Sequence, residues 1–208
     1  MPEGRPIVGD CSTESRRVSD LIDYYLKPLF MKHPSYVKDS YDFITKIRNQ
    51  NIPPNALIVT GDVTALYTNM CINRKRALAR NPHDKYIIQL LELAMKNNDC
   101  PFNNEIFLQI FGMAMGKTFA PSLAHLYLLD FDNQAMEGFN IKPLLYYRFL
   151  DDIFFIWLGS MEELEEFEAF LTKVTPDITI TLCALSPRTP TNSSTPHPSI
   201  LPHFPRPT

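Results

Sequence analysis

The chain has 208 residues, 45% of them hydrophobic, and a formal charge of −3. That length supports one domain with a buried core. The mild acidity argues against a free-standing nucleic-acid binder, because phosphate contacts depend on Lys and Arg. No signal-peptide core opens the chain, and the longest apolar stretch, Ile153 to Leu158, is far too short to span a bilayer. A soluble, intracellular protein with no membrane partner is expected.

In chain order, Val18, Leu21, Ile22 and Tyr25 recur at helical spacing after a polar Ser12-Thr13 start, and Tyr41, Ile44 and Ile47 repeat the pattern. Ala56 to Thr60, between Pro53-Pro54 and Gly61, reads as a buried strand. Arg74, Lys75, Arg76, Arg80 and Lys85 form a basic cluster. Tyr86 to Lys96 reads as a helix, Pro101 to Phe111 as a hairpin centred on Asn103-Asn104, and Pro121 to Met136 as one helix. Leu144 to Leu150 and Ile153 to Leu158 read as strands flanking Asp151-Asp152. Met161 to Lys173 reads as an amphipathic helix whose glutamates make a solvated face, and Ile178 to Leu182 as a last strand. The four cysteines, Cys11, Cys71, Cys100 and Cys183, show no metal-type spacing. From residue 183 onward the chain is rich in proline, serine and threonine and lacks acidic residues, a composition that predicts a disordered tail. The predicted class is α+β, with helices packed on a mainly antiparallel sheet.

Three features carry candidate chemistry. Asp151-Asp152 lies between two apolar strands, where an ordinary turn is the competing reading. Asp62 follows the Leu57-to-Gly61 strand, where a capping acid is the competing reading. If the two strand ends converge, their carboxylates suit Mg²⁺, which takes few protein ligands and completes its shell with water and phosphate. Gly112 to Pro121 is a loop of small residues leading into a helix, a shape that can approach a flat base pair. Gly116-Lys117-Thr118 ends like a P-loop, but Gly112 stands one residue too close for that motif.

Taken together, Gly61-Asp62-Val63-Thr64-Ala65-Leu66-Tyr67-Thr68-Asn69 resembles the first catalytic motif of reverse transcriptases. Gly112 to Pro121 resembles their second motif, and Phe149-Leu150-Asp151-Asp152 resembles their Tyr-x-Asp-Asp motif. The wording is most similar to Penelope-like retroelements, and Arg5-Pro6-Ile7-Val8 resembles a short fingers motif. Phe149 replaces the usual Tyr, and Met115 stands where many reverse transcriptases have Gln. The resemblance implies a polymerase palm with partial fingers, no thumb and a disordered C-terminal tail. It divides the chain into a partial reverse transcriptase domain over residues 1–182 and a tail over residues 183–208.

The resemblance also implies residue roles. Asp62 and Asp151 would hold two Mg²⁺ ions (or Mn²⁺ in their place), with the Val63 carbonyl assisting and Asp152 as the third acid. Tyr67 would exclude a ribose 2′-hydroxyl. Met115, Gly116, Ala120 and Pro121 would line the templating base pair, and Arg5 would contact the triphosphate. The implied partners are an RNA template, a DNA primer and deoxynucleoside triphosphates. The alternative is a catalytically inactive, truncated retroelement remnant with at most weak RNA binding. A nuclease, which also clusters acids, fits the ordered motifs and Tyr67 less well.

Overall fold

The computed structural model describes residues 7–10, 13–70 and 84–185. Arg5, Cys11, Ser12, Cys71, the Arg74 to Arg80 part of the basic cluster and the tail beyond residue 185 lie outside them. The described elements are α1 (Arg16–Phe30), α2 (Ser40–Arg48), β1 (Leu57–Thr64), α3 (Leu66–Asn69), α4 (Asp84–Lys96), β2 (Asp99–Phe102), β3 (Glu105–Leu108), α5 (Ala120–Tyr127), α6 (Leu129–Glu137), β4 (Leu145–Phe149), β5 (Asp152–Trp157), α7 (Met161–Val174) and β6 (Thr179–Leu185). The class is α+β: β4, β5, β1 and β6 form a four-stranded antiparallel sheet in that order, with helices packed against it.

The sheet explains itself by parity. Along β1, Val59 and Val63 are buried while Ile58, Thr60, Asp62 and Thr64 are exposed, as expected when one face of this strand carries the core and the other is left open. β5 is the most apolar strand, with Ile153, Phe155, Ile156 and Trp157 all buried, and it lies inside the sheet between β4 and β1. Behind it, Phe167 of α7 stacks on Trp157 with ring centroids 5.0 Å apart and meets Phe155 edge-on at 5.6 Å. On the opposite face α2 lays Phe43 edge-on against Phe154 at 4.9 Å and Tyr147 at 6.2 Å. The helices carry their own start signals. Asp39 caps α2 by accepting from the Asp42 N–H at 2.9 Å, and Ser160 with Glu163 closes a capping box on α7.

Several elements differ from the sequence expectation. The helix expected over Pro121 to Met136 divides at Leu128 into α5 and α6. α5 is buried on nearly every side (Ala120 and Ser122 to Leu126), so apolar periodicity could not mark its end. Asp62 does not follow β1 but lies within it, because pairing to β6 continues through Thr64. β6 runs on through Cys183, Ala184 and Leu185, residues whose composition placed them in the tail. The hairpin runs from Asp99 to Leu108, two or three residues earlier than expected, and Asn103 (φ 52°) and Asn104 (φ 64°) make its turn, consecutive positive φ values that Asn tolerates. No described helix is long and apolar enough to cross a membrane.

The aromatic cluster behind β5 supplies much of the core, so Phe167→Ala should lower unfolding stability by about 3–5 kcal/mol. Denaturant titration checks this, and a loss below about 1 kcal/mol would show that α7 contributes little to the fold.

Candidate nucleotide and metal site

The three aspartates meet at one end of the β1–β5 pair. Asp62 and Asp152 are directly opposed across the two antiparallel strands. Opposed residues share a face, so both carboxylates belong to the exposed face of the sheet. Asp151 sits in the turn before β5, and its carbonyl accepts from the Val63 N–H at 3.0 Å. This bond ties the turn to β1, while Val63 also pairs with Ile180 of β6 and its side chain is in the core. Burial raises the Asp152 pKa, and the negative charges of Asp151 and Asp62 push it further up. The folded chain therefore concentrates like charge at this edge, a condition that a bound cation would relieve. Among the described residues no three His, Cys, Asp or Glu side chains form a group that could by itself hold a metal ion. The donor set suits a hard cation that takes one or two carboxylates and draws its other ligands from water or phosphate. It does not suit a closed all-protein cage.

Beside this edge lies a cavity of about 360 Å³, lined by Tyr67, Met115, Gly116, Lys117, Thr118, Ala120 and Pro121. It gathers Tyr67 from α3, Met115 and Gly116 from the loop, and Ala120 and Pro121 from the start of α5. Of the site residues implied by the resemblance, Arg5 alone lies outside the described residues. Burial raises the Tyr67 phenol to about 12, and the charge of Asp151 adds to the shift. The phenol is therefore neutral at ordinary pH. Its burial favours folding below the normal tyrosine value of 10.0, and that contribution is lost as pH rises toward about 12. The Asp151 contribution places the Tyr67 side of the cavity within electrostatic reach of that carboxylate.

Two glycines shape the loop. Gly112 has φ +74°, and a Cβ there would press on the carbonyls of Thr68 and Tyr67. Gly116 has φ +105°, and a Cβ there would collide with the Val8 carbonyl. The close approaches are fixed by hydrogen bonds from Met113 N–H to the Tyr67 carbonyl at 2.6 Å and from Val8 N–H to the Met115 carbonyl at 2.7 Å. Only glycine meets both demands without strain.

Sequence reasoning missed the ionic support under this loop. Asp10 and Lys117 are both buried, with Nζ and Oδ1 3.5 Å apart. Asp10 also accepts from Ser15 Oγ at 3.1 Å and from the Thr118 N–H and Oγ1, each at 3.2 Å. Burial alone would raise the Asp10 pKa, but the surrounding hydroxyls, the Thr118 N–H and the Lys117 ammonium outweigh it and hold it at about 2. Lys117 is thus committed to Asp10 and Ser15 rather than presented to a phosphate. The pair lies more than a hundred positions apart in the chain, and the P-loop-like ending at Lys117 was the only local hint.

No protein-family model matches the chain, and no curated protein matches it. Solved structures do. Telomerase from Candida tropicalis in complex with a fragment of telomeric RNA aligns with a TM-score of 0.60 at 12% identity, covering 86% of this chain and 35% of the telomerase. The apo enzyme truncated from its C-terminal domain aligns at 0.55 and 14%, covering 86% and 41%. An RNA polymerase complex inside a double-stranded RNA virus aligns at 0.58 and 13%, covering 81% and 18%. The chain spans less than half the length of these solved chains, and at such identities the likeness concerns the fold alone.

Replacing Asp10 by Asn leaves the Lys117 ammonium buried without its counter-charge, which should cost about 3–5 kcal/mol of stability. The Asp10→Asn/Lys117→Met double variant should recover most of that loss in a double-mutant cycle. The wild-type contribution should be present above pH 3.8 and fall away as pH drops toward about 2, since the folded-state carboxyl is depressed. Additive single losses in the cycle would contradict the pairing. With the geometry and the alignments combined, this chain has a nucleic-acid polymerase-type fold.

Proposed function

We propose that the chain is the palm of an RNA-directed DNA polymerase, adding deoxynucleotides to a primer 3′-hydroxyl on an RNA template. The observation that carries this reading is the cavity lined by Tyr67, Met115, Gly116, Ala120 and Pro121, which adjoins the carboxylate edge closely enough for Asp151 to act on the Tyr67 phenol. The polymerase-type fold supports it, as does the telomeric RNA fragment bound to one solved telomerase. The similarity of the three motifs to Penelope-like retroelements supports a retroelement origin.

In this reading Asp62 and Asp151, with the Val63 carbonyl, would hold Mg²⁺ or Mn²⁺. Such ions supply charge stabilisation to the triphosphate and activation of the 3′-hydroxyl. The chain's own part is positioning. Met115, Ala120 and Pro121 would offer an apolar wall to the nascent base pair, and Gly116 lets the Val8 backbone close against the loop behind that wall. Tyr67, on the cavity wall, would stand against the sugar and favour deoxyribose over ribose. Asp152 maintains negative charge beside the ligands, and Arg5 is the proposed contact to the triphosphate.

Calorimetric binding of a deoxynucleoside triphosphate, with Mg²⁺ and an RNA-templated primer duplex present, tests the proposal. Asp62→Asn and Asp151→Asn should each weaken binding by more than about tenfold, the scale of losing a group that merely orients a metal ligand. Tyr67→Ala should admit the matching ribonucleotide. Binding that ignores all three substitutions would contradict the reading.

A further inference from the structure

The turn that carries Asp151 is built on a residue in an unfavourable conformation. Leu150 has φ +52°, in the left-handed region. For a residue with a Cβ that costs roughly 1–2 kcal/mol. Such strain persists where surrounding groups over-determine it. Beneath the turn lies a fully buried ionic cluster. Arg148 of β4 grips Asp132 of α6 with two parallel bonds, Nε to Oδ1 at 2.7 Å and Nη2 to Oδ2 at 2.6 Å. Asp132 also accepts from the Tyr146 hydroxyl at 3.0 Å and the Ser35 hydroxyl at 2.8 Å, which fixes its orientation. The remaining arm of the guanidinium, Nη1, donates to the carbonyl of Leu150 itself at 2.8 Å.

That carbonyl belongs to the peptide leading into Asp151. With the Asp151 carbonyl held by the Val63 N–H at 3.0 Å, the backbone of Asp151 is fixed on both sides. The guanidinium also reaches His125, Nη2 to its carbonyl at 3.3 Å and Nη1 to its ring at 3.5 Å, but the shorter Nη1 bond to Leu150 is the one that holds the aspartate turn. Buried ion pairs are weak stabilisers in any case, because desolvation offsets most of their attraction. The fork geometry of arginine is what lets one side chain grip a carboxylate and a strained carbonyl together.

We infer that Arg148, oriented by Asp132, is a positioning residue that sets the direction of the Asp151 carboxylate toward Asp62 and thereby the divalent-cation affinity of this sheet edge. The inference rests on the reading of Asp62 and Asp151 as cation ligands. Arg148→Lys keeps a positive charge for Asp132 and gives up the fork. Two readouts apply: hydrogen exchange of the Val63 amide, which reports the turn without any cation, and Mn²⁺ affinity by electron paramagnetic resonance titration. Mn²⁺ affinity should fall about 10-fold or more, the scale of losing a group that orients a ligand. Exchange at Val63 should rise selectively, while the Val59 and Phe155 amides of the same sheet keep their protection. Should Arg148→Lys fold poorly, Asp132→Asn/Arg148→Gln removes both charges together, and the same outcomes are expected. Asp151→Asn separates the two claims. Affinity that ignores Asp151→Asn overturns the cation reading and this inference with it. Affinity that falls in Asp151→Asn but not in Arg148→Lys overturns the inference alone. Protection lost equally across the sheet in Arg148→Lys makes Arg148 a stability element only, and that also overturns it.

Discussion

Everything at this site depends on the register between β1 and β5. The two strands place Asp62 directly opposite Asp152 and, one residue along, Gly61 opposite Ile153. Because side chains alternate, a slip of one residue would turn Asp152 toward the core and Ile153 toward solvent. The buried run Ile153, Phe155 and Trp157 against Val59 forbids that slip. Hydrophobic burial in the core therefore determines that the carboxylates share the exposed face. The chemistry at the edge is a by-product of packing several residues away.

The cost of the arrangement is local and visible. Like charges raise the pKa of Asp152, and two residues with side chains, Ala65 at φ 54° and Leu150 at φ 52°, take left-handed conformations on either side of the aspartates. Buried ionic supports lie beneath the two loops that need them. Asp10 and Lys117 sit under the glycine loop, and Asp132 and Arg148 under the aspartate turn. The first pair joins segments more than a hundred positions apart, and the second ties α6 to β4 across 16 positions. Strain and repulsion at one edge, offset by rigid polar contacts behind it, are the pattern expected of a site held ready for a charged ligand.

How much of this the sequence disclosed follows the range of the interactions. The strands around Asp151-Asp152 were legible because each is a short continuous apolar and aromatic run, a local signal. So was the need for small residues at Gly112 and Gly116, although which carbonyls they approach was not. Asp62 was placed just past its strand instead of inside it, because the β6 partner that extends the pairing is far away in the chain. The break at Leu128 was hidden because apolar residues continue through both helices it separates. Arg148 and Asp132 carry no local signal, because their partners are set by the tertiary fold. Ser15 shows the same limit: it stands at the α1 N-cap yet makes no capping bond, and its hydroxyl goes to Asp10.

The central claim is that the carboxylate edge and the adjoining cavity are one nucleotide site. A crystal structure with Mn²⁺ and a non-hydrolysable deoxynucleoside triphosphate tests it most directly, since the anomalous signal locates the cation independently of the refined ligand. The account predicts Mn²⁺ on the carboxylates of Asp62 and Asp151, with the sugar against Tyr67 and the base against Met115 and Pro121. Mn²⁺ bound away from both aspartates, or a nucleotide seated outside the cavity, would contradict it.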